Sequence, residues 1–232
     1  MIISGKIAII TGVSKGIGKA LALQLLEKGC KVAGLGRKND IEHENYRFFV
    51  CDVREYAQVQ QTVSKVQDVF GPEIHLLFNN AGLGYFGKIE DHTLTQWHEM
   101  YETNVNGLFY MCKEVVPVMK KQGIGHIFNI ASVAGLEGYP EVSGYCGTKF
   151  AVRGISEAMY KELRDEKIKV TCVYPGSVKT DFFRNSPGIK PHDYMLMPED
   201  VALMLVQAAE MPDNFHQVNI EIRPLQPKGP KV

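Results

Sequence analysis

Short apolar runs rich in β-branched residues alternate with longer amphipathic stretches along this chain. Ile7 to Thr11 is followed by Lys19 to Lys28 and then by Lys31 to Leu35, the rhythm of βαβ units in which crossover helices join parallel strands. Arg47 to Cys51, His75 to Asn79, His126 to Ile130 and Val170 to Tyr174 read as further strands, and Val218 to Ile222 as a late edge. The expectation is an α/β fold: a doubly wound, mainly parallel seven-stranded sheet with helices on both faces. At 232 residues, one compact domain over 1–232 can bury about 70% of its extended surface. No internal repeat or Gly/Ser linker divides it, and only 224–232, with three prolines, reads as an irregular tail.

The first strand runs into Thr11-Gly12-Val13-Ser14-Lys15-Gly16-Ile17-Gly18, and a helical pattern follows at once. Glycines let the backbone turn sharply and approach a pyrophosphate, while the helix offers free N–H groups and the positive end of its dipole. The segment is a candidate dinucleotide cradle, with Gly12, Ser14, Lys15, Gly16, Ile17 and Gly18 at the ligand. Its spacing is G-x-x-x-G-x-G rather than the general G-x-G-x-x-G, so a tight strand-to-helix turn remains the plain alternative. The second strand bears on which dinucleotide. An NAD site needs a carboxylate there for the ribose 2′-hydroxyl, and an NADP site needs cations for the 2′-phosphate. Here the strand ends Leu35-Gly36-Arg37-Lys38; there is no acid at Gly36, and Lys15 adds a cation, so NADP(H) is expected over NAD(H). Arg37 and Lys38 could instead be solvated turn residues.

Tyr145-Cys146-Gly147-Thr148-Lys149 opens another helical stretch, and a separation of four puts Tyr145 and Lys149 on one face. A phenol is a poor base at neutral pH, but an adjacent ammonium stabilises the phenolate and draws its pKa down. Alone, such a pair on a helix can also be mere packing. Cys146 is turned away by about 100° and suits a packing role.

Composition narrows the ligand. Twenty-six basic side chains balance 26 acidic ones, so no general field recruits nucleic acid or an anionic membrane, and a small molecule is expected. Five scattered cysteines suggest a reducing compartment. No apolar run approaches the ~20 residues of a membrane span, and the N-terminus lacks a signal-peptide pattern, so a cytoplasmic location is expected. The seven histidines show no ligand spacing, and no metal is assigned.

Taken in order, the glycine turn, Asn79-Asn80-Ala81-Gly82, Asn104-Val105-Asn106-Gly107, Ser132, Tyr145 with Lys149, and Pro175-Gly176 resemble the motifs of the short-chain dehydrogenase/reductase family over most of the chain. The resemblance implies a Rossmann-type fold and hydride transfer between a nicotinamide cofactor and a carbonyl or alcohol. It implies Tyr145 as general acid/base, Ser132 as a hydrogen-bonding partner of the substrate oxygen, and Asn104 as holder of a relay water. Lys149 would lower the pKa of Tyr145 and hold the nicotinamide ribose. The resemblance further puts Asp52 and Val53 at the adenine edge, Asn80, Ala81 and Gly82 in the cofactor wall, and Pro175, Gly176, Val178 and Thr180 beside the carboxamide. The residues leave Asn79 as a tie between strands, Asp52 as a cap for the helix near Glu55, and Ser132 as a turn cap.

Residues 181–198, interrupted by Pro and Gly, read as a segment closing over substrate. Phe182, Phe183, Tyr194, Met195 and Met197, with Tyr85, Phe86 and Tyr139, could line an apolar pocket. They could equally pack the loop, and Arg184, Lys190 or His192 could receive a carboxylate. The ending Asn219-Ile220-Glu221-Ile222-Arg223-Pro224 lacks the Gly-rich segment of ketoacyl reductases; the Met197-Pro198-Glu199-Asp200-Val201-Ala202 stretch and the Ile222-Arg223-Pro224 ending resemble members acting on small carbonyls or hydroxy acids, including sepiapterin- and diketone-reductase-like enzymes. The expected function is an NADP(H)-dependent carbonyl reductase. An NAD-dependent alcohol or hydroxy-acid dehydrogenase and a non-catalytic NADP(H) sensor are the alternatives. Family members commonly pair through the helices that follow Asn104 and include Tyr145, which implies a homodimer or homotetramer.

Overall fold

In the computed structural model, residues 2–182 and 192–226 are described. Seven strands form one sheet: β1 (Ile7–Thr11), β2 (Lys31–Gly36), β3 (Tyr46–Val50), β4 (Leu76–Asn79), β5 (Gly125–Ile130), β6 (Ile168–Pro175) and β7 (Asn219–Ile222). Their order is β3-β2-β1-β4-β5-β6-β7, and every neighbouring pair is parallel. The late edge strand therefore runs with the others, and the sheet is wholly rather than mainly parallel.

Burial explains the continuous apolar runs. Every residue of β1, β4, β5 and β6 is buried, as expected of parallel strands covered on both faces. The edge strands β3 and β7 mix buried with exposed positions. On one face, α1 (Gly16–Glu27) and α6 (Pro198–Glu210) cover a core containing Leu21, Leu25, Val201 and Leu205. On the other, α2 (Tyr56–Phe70), α4 (Gly107–Gln122) and α5 (Ser143–Leu163) cover Val59, Met111, Val115 and Val152.

The sheet order reverses between β1 and β4, and ligands of open α/β sheets bind beyond the strand ends at such a point. The elements leaving those ends carry the site: the glycine turn after β1, the Asn-Ala-Gly loop after β4, Ser132 after β5 and Pro175-Gly176 after β6. The short α3 (Leu94–Tyr101) passes into α4 through a π-type turn over Glu102–Asn106 that contains Asn104, a feature that often marks functional sites in helices.

Candidate active site

Helix α1 begins at Gly16, three residues before the apolar pattern suggests, so two of the three glycines lie in its first turn. Gly12 and Gly16 have φ of 74° and 58°, the left-handed region that side chains rarely adopt. A Cβ on Gly18 would stand 2.3 Å from the Gly12 oxygen and 2.5 Å from Asn80 Nδ2. The turn is thus closed against the Asn-Ala-Gly loop. Asn80 Nδ2 donates to the carbonyls of Thr11 (2.9 Å) and Gly12 (3.1 Å), and Thr11 Oγ1 accepts from the N–H groups of Asn80 (3.0 Å) and Ala81 (2.9 Å). The Asn80 side chain therefore braces the cradle from behind. Thr11 is a site residue that the motifs do not announce; its position as the last residue of β1, at the switch point, is the available signal.

Ser14 joins the cradle to the end of β2: its Oγ donates to the Lys38 carbonyl at 2.7 Å. Gly36, Arg37 and Lys38 are thereby fixed beside the turn. A Cβ at Gly36 would lie 3.0 Å from Ser14 Oγ, so an acidic side chain there would crowd the serine. Arg37 is exposed. Lys15 is exposed as well, and pairs with Asp181 at 3.2 Å.

Asp52 does not cap α2, which starts after Glu55 without a side-chain cap. Its carboxylate instead accepts from Arg54, with Nε to Oδ1 at 3.0 Å and Nη2 to Oδ2 at 2.6 Å. That hydrogen bonding, more than the nearby charge of Arg37, holds the Asp52 carboxyl below its ordinary range. Arg54 also reaches Glu99 at 3.6 Å, and Glu99 accepts from the Tyr85 hydroxyl at 2.6 Å. Val53 is buried and packs where a side chain on Gly107 would intrude.

The four residues of the expected catalytic set converge. Tyr145 and Lys149 are buried on one face of α5, with Lys149 Nζ over the Tyr145 ring, 5.6 Å from its centroid. Lys149 Nζ donates to the Ile130 carbonyl at 2.7 Å, and a Cβ on Gly82 would lie 3.7 Å from that nitrogen. Ser132 caps a turn through the Ala134 N–H at 3.2 Å, and its hydroxyl acts to lower the pKa of the neighbouring Tyr145 phenol. Asn104 is buried, with Nδ2 donating to Thr148 Oγ1 (2.9 Å) and the Leu83 carbonyl (2.8 Å), while Oδ1 accepts from the Leu83 N–H (2.9 Å). Both amide protons are committed to the protein, so a donor for water is not left on that side chain. Asn79 ties β4 to β5 through Asn129, at 2.8 Å.

Burial works against the pull that Lys149 is expected to exert on Tyr145. Burial raises the Tyr145 phenol above its ordinary value, and the neighbouring Ser132 hydroxyl only partly opposes it. Burial also lowers the Lys149 ammonium, to about 8. Desolvation favours the neutral form of both groups.

Over Tyr145 lie Phe86 and Phe182, with ring centroids at 5.7 Å and 5.4 Å. Leu83, Tyr85 and Val142 belong to the same apolar group, together with the buried Met100, Ala134 and Cys146. Met195 is buried, whereas Tyr139, Tyr194 and Met197 are exposed, and none of the four belongs to this group. His192 is half-buried with its ring 6.3 Å from that of Tyr194. Phe183, Arg184 and Lys190 lie outside the described residues. Beyond β6, the Gly176 N–H donates to the Ile222 carbonyl at 2.7 Å, Val178 bridges to Leu196, and Thr180 Cγ2 would lie 3.2 Å from a Cβ on Gly16. The Pro175–Thr180 segment thus stands opposite the glycine turn.

These residues fit a nicotinamide dinucleotide: glycines with positive φ leave the first-turn amides of α1 open, and polar side chains surround the strand ends. Comparison with known proteins agrees. The family model for short chain dehydrogenases matches residues 6–188. An uncharacterized oxidoreductase of Staphylococcus haemolyticus is 34% identical, over 96% of this chain and 99% of that protein. Among solved structures, a closed form of serine dehydrogenase complexed with NADP+ superposes with a TM-score of 0.90 at 28% identity, covering 97% of this chain and 98% of that one. An alcohol dehydrogenase from the archaeon Thermococcus sibiricus, complexed with 5-hydroxy-NADP, gives 0.88 at 28% identity, covering 98% and 99%. The chain belongs to the short-chain dehydrogenase family and is an oxidoreductase of that type.

Proposed function

We propose that the protein is an NADP(H)-dependent carbonyl reductase that reduces a small ketone or aldehyde, or oxidises the matching secondary alcohol, with Tyr145 as acid/base. The observation that carries this reading is the buried Tyr145 phenol on α5, lying beneath the buried Lys149 ammonium, which is itself held at the end of β5 by the Ile130 carbonyl. The preference for NADP(H) is supported by Gly36 in place of an acid and by Arg37 and Lys15 flanking the cradle. It is supported too by relatives of similar fold bound to NADP+ and 5-hydroxy-NADP.

Bound cofactor would supply the hydride. Ser132 Oγ and Tyr145 Oη would donate hydrogen bonds to the carbonyl oxygen, stabilising the negative charge that develops there. Tyr145 would then pass its proton to that oxygen. The Lys149 ammonium is held at the Ile130 carbonyl; there it would hold the nicotinamide ribose, and its charge would favour the phenolate left on Tyr145. Because both amide protons of Asn104 are engaged, a relay water held by this residue would donate to one of its oxygens rather than accept from its side chain. Phe86 and Phe182 would face the apolar part of the substrate and exclude water.

The alcohol-oxidising direction is the second reading, favoured by neighbours named as serine and alcohol dehydrogenases. A cytoplasmic location is part of the proposal; no helix among the described residues is long and apolar enough to cross a membrane. Exposed Phe109 on α4 and Phe150 on α5 suit a homodimer or homotetramer joined through those helices. The test is consumption of NADPH and of NADH against diketones, pterins, aldehydes and keto acids. NADPH-dependent reduction of a carbonyl is expected; tight NADPH binding without turnover of any class would favour a sensor.

A further inference from the structure

One exposed ion pair spans the nucleotide crevice. Lys15, in the glycine turn, holds Asp181 Oδ2 at 3.2 Å, with the two side chains 54% and 70% exposed. Asp181 is held on both sides. Before it, Thr180 packs against Gly16, where a Cβ would leave only 3.2 Å to Thr180 Cγ2. After it, the Phe182 N–H donates to Thr180 Oγ1 at 3.2 Å, and the Phe182 ring packs edge-on to Phe86 and against Tyr145. The carboxylate is therefore presented to Lys15 by a built turn rather than by a free loop.

To Lys15, that carboxylate offers what a cofactor phosphate would offer: anionic oxygens at hydrogen-bonding distance. We propose that Asp181 is a specificity-determining residue, an internal competitor that occupies Lys15 until the 2′-phosphate of NADP(H) takes it over. The inference rests on the NADP(H) reading above. A phosphate monoester carries about −1.5 to −2 at neutral pH against −1 for a carboxylate, so the phosphate wins the ammonium. NADH has no 2′-phosphate and leaves the pair intact. Exposed ion pairs are weak, and affinity falls only by the fraction of protein in the competing state, so Asp181 tunes cofactor choice by a small factor.

The test is fluorescence titration of the full chain with NADPH and with NADH, in the wild type, Asp181→Asn, Lys15→Met and the double variant. Asp181→Asn should tighten NADPH relative to NADH by about twofold to fivefold. In the Lys15→Met background the same substitution should leave the ratio of the two dissociation constants unchanged. An unchanged ratio with Lys15 present, or an equal change with Lys15 absent, would overturn the proposal. Failure of the wild type to prefer NADPH at all would instead overturn the cofactor reading beneath it.

Discussion

Lys149 Nζ sits over the ring of Tyr145, 5.6 Å from its centroid, while donating 2.7 Å to the Ile130 carbonyl. Burial holds the ammonium down to about 8 and the phenol above its ordinary value. Between about 8 and the ordinary lysine value the unfolded chain binds more protons at this residue than the folded one, so this contribution to stability increases as pH rises through that window. Denaturant unfolding at pH about 7 and about 9.5 should show that gain in the wild type and not in Lys149→Met. A variant that keeps the full gain would show that another group is responsible.

The opposite end of the sheet gives an acid counterpart. His126 is buried in β5 with Nε2 at 2.8 Å from Thr171 Oγ1, stacked on Phe128. Burial, then the neighbouring His216 and Lys169, hold its pKa well below 6.5. The unfolded histidine gains a proton below its ordinary value while the folded one does not, so stability is lost as pH falls beneath about 6.5. The slope from this residue is about 1.4 kcal/mol per pH unit. His75 and His216 are lowered in the same direction. His126→Gln should flatten the loss between about pH 6.5 and 5, measured by denaturant midpoints; an unaltered slope would contradict the assignment.

Arg37 is exposed at the end of β2, beside the Ser14–Lys38 tie. Charge-assisted hydrogen bonds are worth about 1.5–3 kcal/mol, so Arg37→Ala should weaken NADPH binding about tenfold to a hundredfold and change NADH little. Equal effects on the two cofactors would show that Arg37 does not read the 2′-phosphate.

Gly18 has no room for a methyl group: its Cβ would meet the Gly12 oxygen at 2.3 Å. Gly18→Ala should cost about 1–3 kcal/mol of stability and at least tenfold in cofactor affinity, because the cradle must shift. Wild-type melting and affinity in that variant would show the turn to be more pliant than its geometry indicates.

The fold is legible because strands buried on both faces are written as unbroken apolar runs; Ile7 to Thr11 matches β1 to the residue. The glycine turn and the Tyr145–Lys149 pair are legible because their spacing alone brings them together. What escapes the sequence depends on contacts between segments distant along the chain. Thr11 bracing Asn80 and Ala81, Arg54 joining Asp52 to Glu99, and Lys15 meeting Asp181 across 166 residues leave no local pattern. The direction of the phenol's pKa shift escapes for a related reason, since spacing reveals the neighbouring charge but not the desolvation that outweighs it. Residue type likewise does not show that Tyr194 and Met197 face solvent.

The most direct test of the central claim is Tyr145→Phe, which keeps the ring against Phe86 and Phe182 and removes only the hydroxyl. With the carbonyl that turns over best, NADPH-dependent kcat should fall by about 10²–10⁴ while NADPH binding stays within a few-fold of the wild type. A kcat close to the wild-type value would contradict Tyr145 as the acid/base of this enzyme.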